Sequence, residues 1–283
     1  MVSSELVSSE SVSRPYPSGR TMDSSFASVP RLMRNPAAYF ENVRRGKHLE
    51  AAISWLLVSS VACLSIYGFV MGMAHSPWQA LSSSVKMPIL FIGAGLLCLP
   101  ALYLFALVMG TQLRLAQVTA LVLAGVGVMA ALLLGLSPIL LIFVLTSRSY
   151  GFFQLLAVAS VSVSGCIGFI YLWRGMVWVN LFDGARAGVQ QMLMGIWLAL
   201  YAFVGSQMAW RLSPFVGDPD EPFVLLQPSH SNFYVDVTHA LERTLGLHGA
   251  LWDLPPVWMG GVCLIPLIVL IVWTGLAAGA EGA

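Results

Sequence analysis

The residues of this chain that could do chemistry gather in one stretch, 211–258, the only long polar segment between two apolar runs. It holds His230, His239 and His248 at nine-residue intervals, with Asp236 three residues before His239. On a helix, positions i and i+3 share a face, so Asp236 and His239 have a spacing at which two side chains can hold one metal ion. Histidine-based metal sites use tighter ligand sets than three imidazoles spread this far, so hydrogen-bonded or solvated histidines are the default and no metal is assigned. The same segment carries Asp218, Asp220, Glu221, Asp236, Glu242 and Asp253 against a single basic residue, Arg243, after its first position. Its surface is acidic.

Elsewhere the chemistry is thin. Nucleophile elbows, HExxH and phosphate-binding glycine loops are absent. Gly165-Cys166-Ile167-Gly168 falls inside an apolar span and does not read as a nucleotide loop. Cys63, Cys98, Cys166 and Cys263 are scattered through apolar runs, which argues against a disulfide framework or a CxxC metal site. None of the thirteen acidic residues lies deep in an expected span. Proton- and cation-coupled carriers usually line their paths with such groups, so a proton-coupled carrier is disfavoured. A channel or flippase-like carrier lined by backbone, serines and aromatics stays open. The expectation is a non-enzyme without a cofactor.

The elements that must position the polar segment are membrane spans. Hydrophobic residues make up 58% of the 283, charged residues only 10%, and the mean hydropathy is +0.80, whereas soluble domains carry about 25% charge. A span needs about 20 apolar residues, and six segments qualify: 51–73, 88–109, 117–136, 150–173, 190–210 and 257–278. The fold class expected is therefore all-α, a polytopic transmembrane helix bundle of about six spans. A further apolar run, 138–146, reaches only about 13 Å as a helix. It follows Ser137-Pro138, where a backbone donor is lost, and reads as a kinked extension, a re-entrant half-helix or a surface helix within 137–147. Seven of the fourteen basic residues (Arg14, Arg20, Arg31, Arg34, Arg44, Arg45 and Lys47) precede the first span. They point to a cytoplasmic flank and, with six crossings, to both termini in the cytoplasm. No nucleic-acid groove is implied.

Residues 1–34 read as a disordered cytoplasmic tail, rich in serine and poor in large apolar side chains. Residues 35–49 read as an interfacial helix, with Ala37, Tyr39, Phe40 and Val43 opposite Asn42, Arg44, Arg45 and Lys47; a helical flank of the first span reads equally well. Residues 50–212 hold spans one to five, and 213–256 form an external segment before the last span and tail, 257–283. In that segment Pro214, Gly217 and Pro219 impose a turn-rich path, with Phe215 and Phe223 free to meet a membrane or a groove. Ser231 can cap a helix whose Phe233, Tyr234, Val237, Leu241 and Leu245 share a face, and Gly246 can end it. Lys86, Arg148 and Arg211 at the outer boundary can pair with Asp218, Asp220 or Glu221, or with lipid phosphates, as a structural clamp. Candidate interaction residues are Arg211, Phe215, Asp218, Phe223, Phe233 and Tyr234. Small residues four apart, Gly68 and Gly72, then Ser160, Ser164 and Gly168, allow close helix packing, within the chain or at an oligomer seam.

The run Asn35-Pro36-Ala37-Ala38-Tyr39-Phe40 resembles the approach to the first span in bacterial proteins of the broad Yip1-like class. Lys86-Met87-Pro88, Cys98-Leu99-Pro100-Ala101-Leu102-Tyr103, Ser137-Pro138-Ile139, 211–218 and Ser231-Asn232-Phe233-Tyr234 are more closely similar to a family of uncharacterised bacterial multi-pass inner-membrane proteins. The resemblance spans residues 35 to about 246. It implies a bacterial inner membrane and a defined structure for 214–234, and it brings no activity and no functional residues. The function expected is binding or scaffolding of another membrane component through the external segment. The partners expected are the lipid bilayer and a membrane protein or second copy. A transporter or channel subunit with a path beside the Pro138 kink is the alternative.

Overall fold

The computed structural model describes residues 28–46, 49–73, 76–108, 113–146, 150–179 and 187–212. These fold into seven helices: α1 (Ser28–Arg34), α2 (Pro36–Arg44), α3 (Leu49–Gly72), α4 (Pro77–Val108), α5 (Leu115–Thr146), α6 (Tyr150–Trp178) and α7 (Ala187–Leu212). Helix α5 is central, packing on α3 and α6, while α4 bridges α3 and α7. The short α1 and α2 lie against α3, α5 and α6. Helices α3 to α7 are apolar on all sides, as a lipid-facing helix must be. Five described helices are long and apolar enough to cross a membrane, and large side chains such as Leu96, Leu97 and Leu145 stand outward. The protein is a multi-pass, all-α membrane protein. The expected sixth span, 257–278, lies outside the described residues.

Three boundaries differ from the sequence reading. Residues 28–34 are not tail but helix: Val29 and Leu32 are both buried, and Val29 fits against Gly127 of α5 beside Leu56 and Ser60 of α3. A glycine in the facing helix opened a groove that composition alone did not reveal. Helix α4 starts eleven residues before Pro88, at Pro77. Ser76 caps it by accepting from the Gln79 N–H at 3.2 Å, and Pro77 takes the first helical position, where no donor is needed. Helix α5 runs unbroken through Pro138 to Thr146. Proline leaves the carbonyl four residues back without its amide, here Leu134, and the Ser137 hydroxyl donates to that oxygen at 2.6 Å. The run 138–146 is therefore an extension of the helix, one of the three readings open from the sequence, and neither a re-entrant half-helix nor a separate surface helix.

Backbone proximity holds the long helices together. A Cβ at Gly72 would lie 2.5 Å from Ala80 Cα, and one at Gly68 would meet the Ser83 carbonyl, so these glycines seat α3 on α4. Gly125 and Gly168 face each other across α5 and α6, where added Cβ atoms would stand 2.9 and 2.6 Å from the opposite carbonyl oxygens. Ser164 and Ser160, one and two turns earlier on α6, are buried. Between α4 and α7 the contacts are polar: Trp197 Nε1 donates to the Cys98 carbonyl at 2.8 Å, and the Tyr201 hydroxyl to the Phe91 carbonyl at 3.2 Å. The two rings stack at a centroid separation of 5.6 Å.

Gly68→Ala or Gly168→Ala must push two backbones apart. Each is expected to destabilise the bundle by about 1–3 kcal/mol, read as a lower unfolding temperature in detergent. Gly135→Ala, with nothing within 4 Å, is expected to be neutral or to stabilise by up to about 1 kcal/mol. Equal effects at the three positions would contradict this packing.

Candidate functional site

Of the expected interaction residues, Phe215, Asp218, Phe223, Phe233 and Tyr234 lie outside the described residues, as do the three histidines of the polar segment. Arg211 occupies the last turn of α7. What the described helices hold is a set of polar side chains buried among apolar ones, in two groups at opposite ends of the bundle.

The first group docks the N-terminal helices. Asn35 caps α2 by accepting from the Ala38 N–H at 3.3 Å, and Gly46 follows its C-terminus at φ +67°, the left-handed region a helix C′ position favours. Gln117, only 7% exposed, joins two helix ends. Its Oε1 accepts from the Arg114 N–H at 2.8 Å, capping α5. Its Nε2 donates to the Val43 carbonyl at 2.8 Å and to the Arg44 carbonyl at 3.2 Å, satisfying the last turn of α2. The Tyr39 hydroxyl donates to the Ala120 carbonyl at 2.9 Å, and burial pushes this phenol well above the usual tyrosine range. The Phe40 ring fills the space left by Gly175 of α6. The apolar side of α2 is thus spent on the bundle. On its outer side Glu41 accepts two hydrogen bonds from Arg44 at 3.0 Å and one from Arg45 at 2.6 Å, which hold its carboxyl below the usual range.

Beside this end, a cavity of about 20 Å³ is lined by apolar side chains of α4, α5, α6 and α7, among them Leu102, Phe105, Leu121 and Met176, together with the amide of Gln190. It suits about one water molecule. The Gln190 Oε1 has no partner among the described residues.

The second group lies toward the other end. Tyr67 is fully buried on α3; its hydroxyl turns toward Ser160 of α6 without closing a well-formed hydrogen bond. Ser83 and Lys86, one turn apart on α4, are 0% and 6% exposed, and neither side chain has a partner among the described residues. The sequence reading put Lys86 at the outer boundary because it began the span at Pro88. Helix α4 carries it inside. Ala80 faces Gly72, the last residue of α3, and Lys86 lies six residues further, about 9 Å deeper. Lys86 also precedes Gly93 by two turns on one face of α4, and a Cβ added at Gly93 would stand 3.3 Å from the Met208 side chain of α7. The usable signal in the sequence was Ser76-Pro77, a helix start eleven residues ahead of the apparent one. The thiols of Cys63, Cys98 and Cys166 are free.

No family model matches this chain, and neither a curated protein nor a solved structure is similar to it.

Gln117→Leu removes three hydrogen bonds at one position, taking the acceptor from the Arg114 N–H and the side-chain donor from the Arg44 carbonyl, while the Val43 carbonyl keeps the Gly46 N–H. It is expected to cost about 1–3 kcal/mol and to speed tryptic cleavage after Arg44 and Arg45; unchanged cleavage would count against the docked state of α2. The Glu41 cluster behaves differently. A carboxylate depressed in the folded state contributes above its ordinary pKa of about 4.3 and stops contributing as pH falls through its lower folded value. Its partners are exposed and screened. Glu41→Gln is accordingly expected to leave the unfolding temperature unchanged at pH 7.

Proposed function

We propose that this chain is a non-enzymatic integral membrane protein of a bacterial inner membrane that binds or scaffolds another membrane component through residues 213–256. The observation that carries the reading is the close packing of the described helices. Its helices meet at glycine backbones, α5 passes Pro138 without a break, and the cavity at the α1–α2 end is apolar and about the size of one water. A transport path beside Pro138 loses the broken helix on which it rested, since irregular backbone at membrane depth needs protein or water around it and Pro138 stands on the exposed side of a continuous helix. Recognition then falls to the polar segment that follows α7.

The distribution of charge supports the orientation. Arg34, Arg44 and Arg45 are exposed on α1 and α2 or just after them, and Arg114 and Arg174 are exposed at the ends of α5 and α6 that meet α2. Basic residues gathered at one end favour the cytoplasmic side for that end. Five crossings then bring residue 213 out on the opposite face.

The test is extraction of tagged full-length protein from its native membrane in mild detergent, with the mass of the intact complex measured. A stoichiometric partner is expected, and it is expected to be lost when residues 213–246 are deleted while the unfolding temperature of the bundle is retained. A monomer or homo-oligomer with no second component would sink the reading.

A further inference from the structure

An ammonium group removed from water is costly unless an anion meets it, and inside a membrane span such a group marks a functional site with a counter-charge to be named. Lys86 is such a group. It is 6% exposed, its Nζ is buried, and no hydrogen-bond acceptor reaches it among the described residues. Glu41 and Glu50 are the only carboxylates among the described residues, and both belong to the α1–α2 end.

Ser83 adds an independent observation. In these helices a serine hydroxyl ordinarily returns to a carbonyl three or four residues back: Ser54, Ser59, Ser160 and Ser162 bond the carbonyls of Glu50, Trp55, Leu156 and Val158 at 2.7–2.8 Å. Ser83 does not, although it is fully buried, and Ser60 of α3 and Ser164 of α6 share that lack of a partner; of the three, Ser83 alone stands one turn from a buried cation on its own helix. Gly68 presses on its backbone carbonyl from α3, and its hydroxyl remains a donor one turn from the ammonium. Lysine can only donate, so the complement to this pair is a group that accepts from both.

We propose that Ser83 and Lys86 bind an oxyanion, the phosphate or carboxylate of an acidic headgroup or a small free anion, at the end of the bundle away from α1 and α2. Ammonium and hydroxyl donors one helical turn apart fit two oxygens of one such group, and charge-assisted hydrogen bonds are the strong ones. This inference concerns the bundle and does not depend on the external segment acting as a scaffold.

The test uses full-length protein in an uncharged detergent, with inorganic phosphate and, separately, phosphatidylglycerol in mixed micelles as probes and phosphatidylcholine as control. At least one probe is expected to raise the unfolding temperature by roughly 5 °C or more at saturation. Lys86→Met is expected to abolish the shift, Lys86→Arg to keep it, and Ser83→Ala to weaken apparent affinity about tenfold. A response to phosphatidylglycerol alone identifies a lipid headgroup; a response to inorganic phosphate as well identifies a free oxyanion. If Lys86→Met does not fold, the Lys86→Arg and Ser83→Ala titrations carry the comparison. Absence of any shift in the unaltered protein, or equal shifts with and without Lys86, overturns the proposal. It also fails if neutralising Asp218, Asp220 and Glu221 together matches Lys86→Met and the two changes are not additive, because the counter-charge is then the chain's own.

Discussion

Every polar group that leaves water in this protein must find a partner inside it, because lipid supplies none. Most of the architecture follows from that constraint. Long helices satisfy their own backbones, and the few places where they cannot are repaired one by one. Ser137 covers the carbonyl that Pro138 leaves open. Gln117 closes the first turn of α5 and the last turn of α2 with one amide. Trp197 and Tyr201 put their polar atoms on carbonyls of α4 while their rings fill the α4–α7 seam. Bonds of this kind fix register as well as energy, since each ties one side chain to one carbonyl.

Association between the helices rests on close approach. Lipid is as apolar as leucine, so burial of leucine against leucine gives little preference for protein over membrane. Glycine changes that balance by letting backbones meet. The pairs Gly68–Ser83, Gly72–Ala80 and Gly125–Gly168 set the distances of α3 to α4 and α5 to α6. Gly127 and Gly175 do the same for the short helices, admitting Val29 and the Phe40 ring. The N-terminal helices are therefore part of the bundle, although their sequence is that of a polar flank.

Ser60, Tyr67, Ser83, Ser164 and Gln190 each leave a buried polar atom without a partner among the described residues, and against them Lys86 stands out because its group carries a charge. The reading of a solid, non-transporting bundle and the reading of an anion site are compatible. A pair of donors set in one half of a packed bundle can hold a headgroup without opening a path across.

Much of the class was legible in the sequence. Apolar runs of 20 residues or more between basic flanks permit little else than membrane helices, so the all-α, multi-pass character follows from composition and run length. Gly68, Gly72 and Gly168 were likewise visible, because four-residue spacing puts small residues on one helix face. Boundaries were not. Local rules place a break at Ser137-Pro138 and a start at Pro88, and both are overridden by groups distant from the proline in role: a hydroxyl that repairs the ladder and a cap at Ser76 that begins α4 three turns early. The burial of Lys86 follows from that second override, so no reading of local hydropathy could reach it. The docking of α1 has the same cause, because Val29 gains a partner only where Gly127 and Ser60 of two other helices come together. Sequence by itself determined that these segments are helices for a membrane; which polar groups they enclose was decided only when the helices met, since burial belongs to the contact and not to the segment.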